Sequence, residues 1–173
     1  SILEVGASTG RYTLQLARKG YRVTAVDLSP KALEFNRQSI AAVKLSKKVR
    51  FVCADARQLP DEVGHDFHAV LLMGPLYHLV HEPDRILALQ QAHARLRPGG
   101  IIVSSFISRL GLFSDLLKTM PEWITQRKEV QSVLAIGRDT EDYPRGRFRG
   151  YFALANELAP LHEPLGFQTL VVA

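Results

Sequence analysis

Short apolar runs alternate with segments of helical periodicity along most of the chain. The apolar runs predict six strands, at residues 2–5, 22–27, 49–53, 67–73, 101–106 and 167–172. Apolar residues at helical spacing predict helices between them, over residues 12–17, 30–45 and 83–96. Strands that alternate with helices are typical of a parallel sheet covered on both faces. The pattern therefore predicts an α/β fold, doubly wound, with a mainly parallel sheet.

Residues at the ends of these segments fit the predicted boundaries. Gly20 has the place of a helix-terminating glycine, and Ser29 is the predicted N-cap of the next helix, with Pro30 at its first position. The run Arg97-Pro98-Gly99-Gly100 breaks the helix before the fifth strand. Asn156 is the predicted N-cap of a short last helix.

Residues 108–151 interrupt this alternation. They hold apolar positions, a tryptophan and an arginine-rich stretch. The 173 residues are enough for one domain, so we interpret 108–151 as an insertion within a single domain, 1–173. Because ligands bind beyond the carboxyl ends of strands in such sheets, an insertion after the fifth strand is a candidate substrate lid.

Composition narrows the class of protein. Hydrophobic residues make up 46% and charged residues 23%, the balance of an ordinary globular protein. No apolar run approaches the roughly 18 residues of a membrane span, so we expect no membrane partner. Cys53 is the single cysteine, so no internal disulfide forms, which fits a reducing compartment and a cytoplasmic location.

The formal charge of +5 raises the question of a nucleic-acid partner. Four arginines of the insertion lie among aromatic residues, as in single-strand binding grooves: Arg138, Arg145, Arg147 and Arg149. Asp139, Glu141 and Asp142 lie in the same stretch and cancel much of its field. A solvated loop is therefore favoured over a nucleic-acid groove.

Candidate binding residues follow the first three strands. Gly6-Ala7-Ser8-Thr9-Gly10 forms a glycine-containing turn before a helix, where backbone N–H groups face a ligand. Alone, this turn is open to a structural or a dinucleotide-binding role. Asp27, 17 residues after Gly10, can accept both hydroxyls of a ribose, a role favoured over that of a strand-end cap for the next helix. Asp55, with the N–H of Ala56, can bind the edge of an adenine, although taken alone it is equally open to being an ordinary loop aspartate.

These motifs together resemble the class I methyltransferase family over about residues 1–107. The resemblance rests on their order and spacing: Leu3-Glu4-Val5-Gly6-Ala7-Ser8-Thr9-Gly10, Val26-Asp27-Leu28-Ser29-Pro30, Ala54-Asp55-Ala56 and Leu96-Arg97-Pro98-Gly99-Gly100. It implies a Rossmann-like sheet and S-adenosylmethionine as cofactor. The family sheet usually ends with a seventh, antiparallel strand, which we expect to be missing here.

The resemblance also implies roles for individual residues. Glu4, Gly6 and Gly10 match the family's first motif, and Ser8 stands where the family often has a further glycine. By resemblance Asp27 holds the ribose and Leu28 packs on the adenine. Asp55 and Ala56 read the adenine edge.

The loop after the fourth strand is the candidate reaction site. By resemblance, the stretch Met73-Gly74-Pro75-Leu76-Tyr77-His78-Leu79 lies beside the reactive methyl group. It is similar to the loop of small-molecule methyltransferases and lacks the Asn/Asp-Pro-Pro-aromatic motif of many nucleic-acid enzymes. His78 is the candidate general base, with Tyr77 second, although Tyr77 is equally open to a packing role.

Three further possibilities remain open at this point. The His pairs 65/68 and 78/81 have a spacing that could bind a metal, but neither has a third ligand nearby, so no metal is expected. A nicotinamide-dependent oxidoreductase prefers Gly-x-Gly-x-x-Gly, which the turn lacks. A non-catalytic S-adenosylmethionine-binding domain is the alternative to methyl transfer onto a small molecule.

Overall fold

The sheet of this protein, seen in a computed structural model that describes residues 1–138 and 150–172, has five strands in the order β3-β2-β1-β4-β5. All four pairings within it are parallel. The strands are β1 (Ile2–Val5), β2 (Val23–Asp27), β3 (Val49–Cys53), β4 (Phe67–Leu72) and β5 (Leu96–Ser104). The predicted doubly wound, mainly parallel α/β fold is confirmed.

Helices follow the strands in the predicted alternation. They are α1 (Arg11–Arg18), α2 (Pro30–Ala42), α3 (Pro75–His78) and α4 (Glu82–Arg95). Single 3-10 turns lie at Ser46–Lys48 and Asp61–Val63. No helix in the described part of the chain has both the length and the apolar character that crossing a membrane requires.

Burial on both faces explains why residues of the central strands do not alternate between polar and apolar. Every residue of β1 is buried, and only the last residue of β2 is partly exposed. One face of β2 and β3 packs under α1 and α2, in a core that includes Ala17, Val23 and Ile40. Since successive strand side chains point to opposite faces, strands buried throughout are covered on both sides.

The predicted helix ends are explained by backbone and side-chain hydrogen bonds. Gly20, at φ +90°, follows α1, and its N–H donates to the carbonyl of Ala17. The hydroxyl of Ser29 accepts the N–H of Ala32 at 3.2 Å, which makes Ser29 the N-cap of α2 as predicted. The helix ends at Ala42, earlier than the predicted residue 45.

The fifth strand begins earlier than predicted. Residues 97–100 were expected to separate helix from strand, yet β5 already begins at Leu96. Leu96 lies opposite Phe67, and Ile101 lies opposite Ala69, so the residues between them form a bulge. Gly99, at φ +72°, supplies the left-handed turn that this bulge needs.

The chain divides into two compact units. The first holds the sheet, in residues 1–75 and 83–105, and the second holds the described parts of 76–82 and 106–172. The second unit contains β6 (Ile107–Ser108), α5 (Arg109–Thr119), a 3-10 turn (Pro121–Thr125), α6 (Arg127–Ile136), β7 (Phe152–Ala153) and α7 (Ala155–His162). Strands β6 and β7 pair in parallel, and Trp123, Val133 and Phe152 form the unit's apolar core. Within the predicted insertion, residues 139–149 lie outside the described residues.

Two predictions for the end of the chain are wrong. Residues 167–172 form no strand, because no strand among the described residues pairs with their backbone. Their apolar side chains are exposed, Leu170 to 75% and Val171 to 82%. Asn156 is not an N-cap, since α7 begins at Ala155 after the N-cap residue Leu154. The carboxylate of Glu157 instead accepts the N–H of Leu154 at 3.0 Å, which sets where the helix starts.

Candidate functional site

The loops after four neighbouring strands adjoin at one edge of the first unit. Val5 at the end of β1 lies opposite Val26 of β2 and Leu72 of β4, and Asp27 lies opposite Cys53 of β3. In a parallel sheet this register brings all four following loops to the same edge. The predicted cofactor residues from Gly6 to Met73 therefore share that edge.

The two glycines of the first loop are required by their surroundings. Gly6 and Gly10 have left-handed φ angles of +82° and +94°. A Cβ on Gly6 would come within 2.6 Å of Pro75 Cδ, and one on Gly10 within 2.2 Å of Asn36 Oδ1. Both positions therefore admit only glycine without rearrangement of their neighbours.

Ser8 also has a left-handed backbone, at φ +47°. This is the position where the family often has a glycine, and serine adopts that conformation at an energetic cost. Its N–H donates to Oδ2 of Asp27 at 2.7 Å. The hydrogen bond orients the loop toward the end of β2.

Asp27 is fixed by backbone groups from two loops. Besides the N–H of Ser8, its carboxylate accepts the N–H of Ser29 on Oδ1 at 2.8 Å. A carboxylate has about four lone-pair sites, so each oxygen keeps one acceptor position. Two acceptors held side by side suit the two hydroxyls of a ribose, which is the chemistry predicted for this residue.

Leu28 has a solvent-exposed apolar side chain beside Asp27. It is 68% exposed, although it directly follows a buried strand. Its carbonyl accepts a hydrogen bond from Sγ of Cys53 at 3.6 Å, and the N–H of Ala54 donates to the Asp27 carbonyl at 3.1 Å. The backbone that carries Leu28 is thus tied to β3, and its side chain offers a surface for a planar apolar ring.

Asp55 follows β3 and is engaged by a neighbouring arginine. Its Oδ1 accepts the backbone N–H of Arg57 at 2.8 Å, and Oδ2 accepts Nη2 of the same residue at 2.7 Å. Hydrogen bonding to that guanidinium lowers the pKa of the Asp55 carboxyl despite partial burial. Ala56 is half-buried beside it.

Glu4 lies beneath the glycine loop rather than on its surface. Its side chain is 1% exposed, and its Oε2 accepts the hydroxyl of Thr13 at 2.5 Å. Thr13 Oγ1 in turn accepts Nδ2 of Asn36 at 2.9 Å. Burial, partly offset by the Thr13 hydrogen bond and reinforced by the charge of Asp27, raises the pKa of Glu4 from 4.5 to about 7.

The candidate reaction residues belong to the short helix after β4. Met73 is partly buried in the first unit. Tyr77 and His78 belong to the second unit, where their ring centroids are 4.7 Å apart. The carbonyl of Tyr77 accepts the N–H of Tyr151 at 2.8 Å, which ties α3 to the segment before β7.

Three histidines of the two sequence pairs have different polar neighbours. His65 Nε2 lies 2.9 Å from Nη1 of Arg95, and His68 Nδ1 lies 3.3 Å from the backbone nitrogen of Ser1. His81 Nδ1 lies 3.2 Å from Nη1 of Arg138. Across residues 1–138 and 150–172, His, Cys, Asp and Glu form no cluster of three or more that could hold a metal ion.

Several residues around the site were missed by the sequence analysis. Asn36 had a visible signal, because it shares the buried face of α2 with Leu33 and Ile40, where a polar residue is out of place. Arg57 had none, since a spacing of two residues in a loop predicts no contact.

The chain is similar to methyltransferases both in sequence and in fold. A family model described as a methyltransferase domain matches residues 2–100. A ubiquinone biosynthesis O-methyltransferase of Xanthomonas campestris is 30% identical over 108 residues, which cover 62% of this chain and 43% of that protein. The chain thus spans about two fifths of the length of the curated relatives it matches.

Solved structures share the fold. An S-adenosylmethionine-dependent methyltransferase of Methanosarcina mazei superimposes with a TM-score of 0.70 at 19% identity, covering 95% of this chain and 77% of that one. The glycopeptide N-methyltransferase MtfA, solved with S-adenosylmethionine, gives a TM-score of 0.56 at 26% identity, covering 62% of this chain and 47% of that one. Because the matched domain spans more than half of the chain, this protein belongs to the class I S-adenosylmethionine-dependent methyltransferases.

Proposed function

We propose that this chain binds S-adenosylmethionine at the edge formed by β1, β2 and β3 and directs methyl transfer to a small molecule. The observation that carries the proposal is the Asp27 carboxylate. Backbone N–H groups of Ser8 and Ser29 fix it from two sides. They leave it an acceptor position on each oxygen for a ribose.

The other predicted cofactor residues fit this ligand by their chemistry. Leu28 offers its exposed side chain to the face of the adenine, and Asp55 offers an acceptor to its amine. Gly6 and Gly10 keep the first loop close to the sheet, and Ser8 orients it. Ala56 would serve a ring nitrogen with its N–H, and Met73 would lie beside the methyl group.

Glu4 acts from beneath this loop. Its carboxylate accepts the hydroxyl of Thr13, which in turn accepts Nδ2 of Asn36. Asn36 is the side chain that Gly10 closely approaches. Glu4 therefore holds the start of α1 in place for the ligand. This is an indirect role for a residue that the resemblance assigns to the cofactor.

In this proposal the residues of the site mainly position the cofactor and the methyl acceptor. When bound, the sulfonium group supplies an activated methyl for in-line displacement by the acceptor. Orientation of two reactants can lower a barrier by roughly 7–11 kcal/mol. His78 would take the acceptor's proton on a ring nitrogen where the acceptor is a hydroxyl or ammonium, a contribution of about 10²–10⁴-fold. Tyr77, whose carbonyl is anchored by Tyr151, is the second candidate.

A small-molecule acceptor is supported by the loop after β4 and by relatives of the chain. The stretch from Met73 to Tyr77 lacks the paired prolines and polar residue that grip a flipped base. The curated relative named above acts in ubiquinone biosynthesis, and MtfA methylates a glycopeptide nitrogen. Incorporation of labelled methyl into a metabolite panel, and not into duplex DNA, single strands or tRNA, is the expected result. Incorporation into nucleic acid at physiological salt would overturn this acceptor class.

The cofactor site is tested by titration calorimetry with S-adenosylhomocysteine and with NAD. The wild type should bind the first and not the second. Asp27→Ala should weaken binding by about 10²-fold, because a hydrogen bond to a charged group is worth roughly 1.5–3 kcal/mol. Glu34→Ala is the matched control, since Glu34 pairs with Arg37 at the surface of α2. Equal affinities of the two variants, or binding of NAD alone, would contradict the proposal.

A further inference from the structure

Arg57 joins two carboxylates at the edge where the adenine is proposed to bind. Its Nη2 lies 2.7 Å from Oδ2 of Asp55, and its Nη1 lies 3.3 Å from Oδ1 of Asp84 on α4. Its Nε donates to both oxygens of Asp55, at 3.0 Å and 3.2 Å. The guanidinium therefore grips Asp55 in the side-on, two-pronged manner that fixes a carboxylate plane.

These contacts leave Asp55 with little spare acceptor capacity. Its oxygens accept the backbone N–H of Arg57, the shared Nε and Nη2. Of about four lone-pair sites on a carboxylate, three are engaged. Arg57 determines the direction of the remaining lone-pair site, and that site can accept one N–H donor.

The loop that carries Asp55 is fastened to α4 at more than one point. Besides the contact of Arg57 with Asp84, the N–H of Leu59 donates to Oε1 of Gln91 at 3.1 Å. The carbonyl of Leu59 accepts Nη2 of the buried Arg95 at 2.6 Å. Residues 84, 91 and 95 are separated by seven and four positions, so they share one face of the helix. Helix α4 is thus the rigid support of this loop.

We propose that Arg57, anchored on Asp84, is a positioning residue that aims the last free acceptor of Asp55 at the exocyclic amine of the cofactor's adenine. The inference rests on the proposed cofactor site and deepens it, because it explains how the protein would select adenine over other purines. The same guanidinium keeps the pKa of Asp55 below its ordinary value. Asp55 therefore stays an anionic acceptor at neutral pH.

The test compares two ligands by titration calorimetry. One is S-adenosylhomocysteine, and the other is its analogue in which hydrogen replaces the exocyclic amine of the purine. A positioned charged acceptor should make the wild type prefer the first ligand by about tenfold or more. Arg57→Ala should reduce this preference at least about threefold. Arg57→Lys should also reduce it, because lysine keeps the charge without the two-pronged grip.

Two comparisons separate positioning from general stability. In an Asp55→Ala background, Arg57→Ala should change the preference no further, because Arg57 acts through Asp55. Arg37→Ala, which breaks an equally short ion pair with Glu34 on α2, should leave the preference at its wild-type value. Circular dichroism establishes that each variant is folded, and Arg57→Lys serves if Arg57→Ala does not fold.

The outcomes are distinct. An unchanged preference in a folded Arg57 variant, or an equal loss of affinity for both ligands, would overturn the positioning role. A further change of preference in the Asp55→Ala background would overturn action through Asp55. Failure of the wild type to bind either ligand would instead overturn the proposed cofactor site itself.

Discussion

At the scale of single residues, Glu4 is a carboxylate placed where water cannot reach it. Burial raises its pKa from 4.5 to about 7, so near neutral pH it is on the point of ionising inside the protein. Below pH 4.5 Glu4 is protonated in the folded and unfolded states alike. Between pH 4.5 and 7 the unfolded chain loses the proton while the folded protein keeps it, so stability falls as pH rises.

The Glu4→Gln variant should remove this pH dependence. A pKa displaced from 4.5 to about 7 corresponds to about 3 kcal/mol at 1.36 kcal/mol per pKa unit. We expect the wild type to lose that much free energy of unfolding between pH 4.5 and 8, and Glu4→Gln to lose much less. Urea unfolding followed by circular dichroism at several pH values measures both, with the exposed Glu34→Gln as control. Parallel pH profiles for the wild type and Glu4→Gln would rule out this assignment.

Ser8 has a backbone conformation that is energetically unfavourable for any residue other than glycine. Its left-handed φ of +47° suits glycine, so Ser8→Gly should raise the free energy of unfolding by about 0.5–1 kcal/mol. Ser8→Val should lower it, because a β-branched side chain fits that conformation poorly. Thermal unfolding of the three proteins gives the order. A destabilised Ser8→Gly would show that the serine side chain contributes contacts that outweigh its strain.

At the scale of elements, one buried arginine connects the helices and strands of the second unit. Arg109 on α5 is 2% exposed, and it donates to the Phe152 carbonyl of β7 at 2.9 Å and to the Leu134 carbonyl of α6 at 3.2 Å. Its Nη2 contacts both oxygens of Glu157 on α7 at 2.7 Å. Tyr151 donates its hydroxyl to the same carboxylate at 2.7 Å. Short elements with a small apolar core are thus held together by one polar network.

Arg109→Met should therefore loosen the whole second unit. Removing one partner of a buried ion pair costs about 3 kcal/mol, and it also leaves two carbonyls without their donor. Trp123 is the single tryptophan and lies in this unit's core, so its fluorescence in urea reports the unfolding of this unit. Arg37→Met, which breaks an exposed pair, should cost less than about 1 kcal/mol. Similar midpoints for the two variants would show that the network contributes little.

At the scale of the whole molecule, we propose that residues 108–151 form the substrate lid predicted from the sequence. They follow β5 in the chain, and α/β proteins bind ligands beyond the carboxyl ends of their strands. Amide exchange in α5 and α6 should slow when S-adenosylhomocysteine and the acceptor found by methyl incorporation are both present. The exchange of α2 is the internal reference. No change in α5 and α6 under saturating ligand would make the segment a packed insertion.

Much of the first unit was predictable because its signals are local. Alternation of apolar runs and helices predicted β1 to β4 and α4, and the cap of α2 followed from Ser29 and Pro30. The shared edge of the candidate cofactor loops followed from motif order, since loops after parallel strands meet at one edge. The predictions for 167–172 and Asn156 were wrong because both depend on distant partners. A strand needs a neighbour to pair with, and the start of α7 depends on Glu157, whose carboxylate is held by Arg109 from far away in the chain.

Local sequence patterns alone were enough to predict the alternation of elements, the doubly wound sheet and the residue types at the edge proposed for the nucleoside. These depend on periodicity and on backbone preferences of glycine, proline and serine, which act over a few residues. Which polar groups meet depended instead on how the chain packs in three dimensions. That packing placed Glu4 beside Thr13 beneath the loop, and it attached Arg57 to Asp55 and Asp84. Hydrogen bonds and burial between residues distant in the chain depend on how elements pack, and no local pattern encodes that packing.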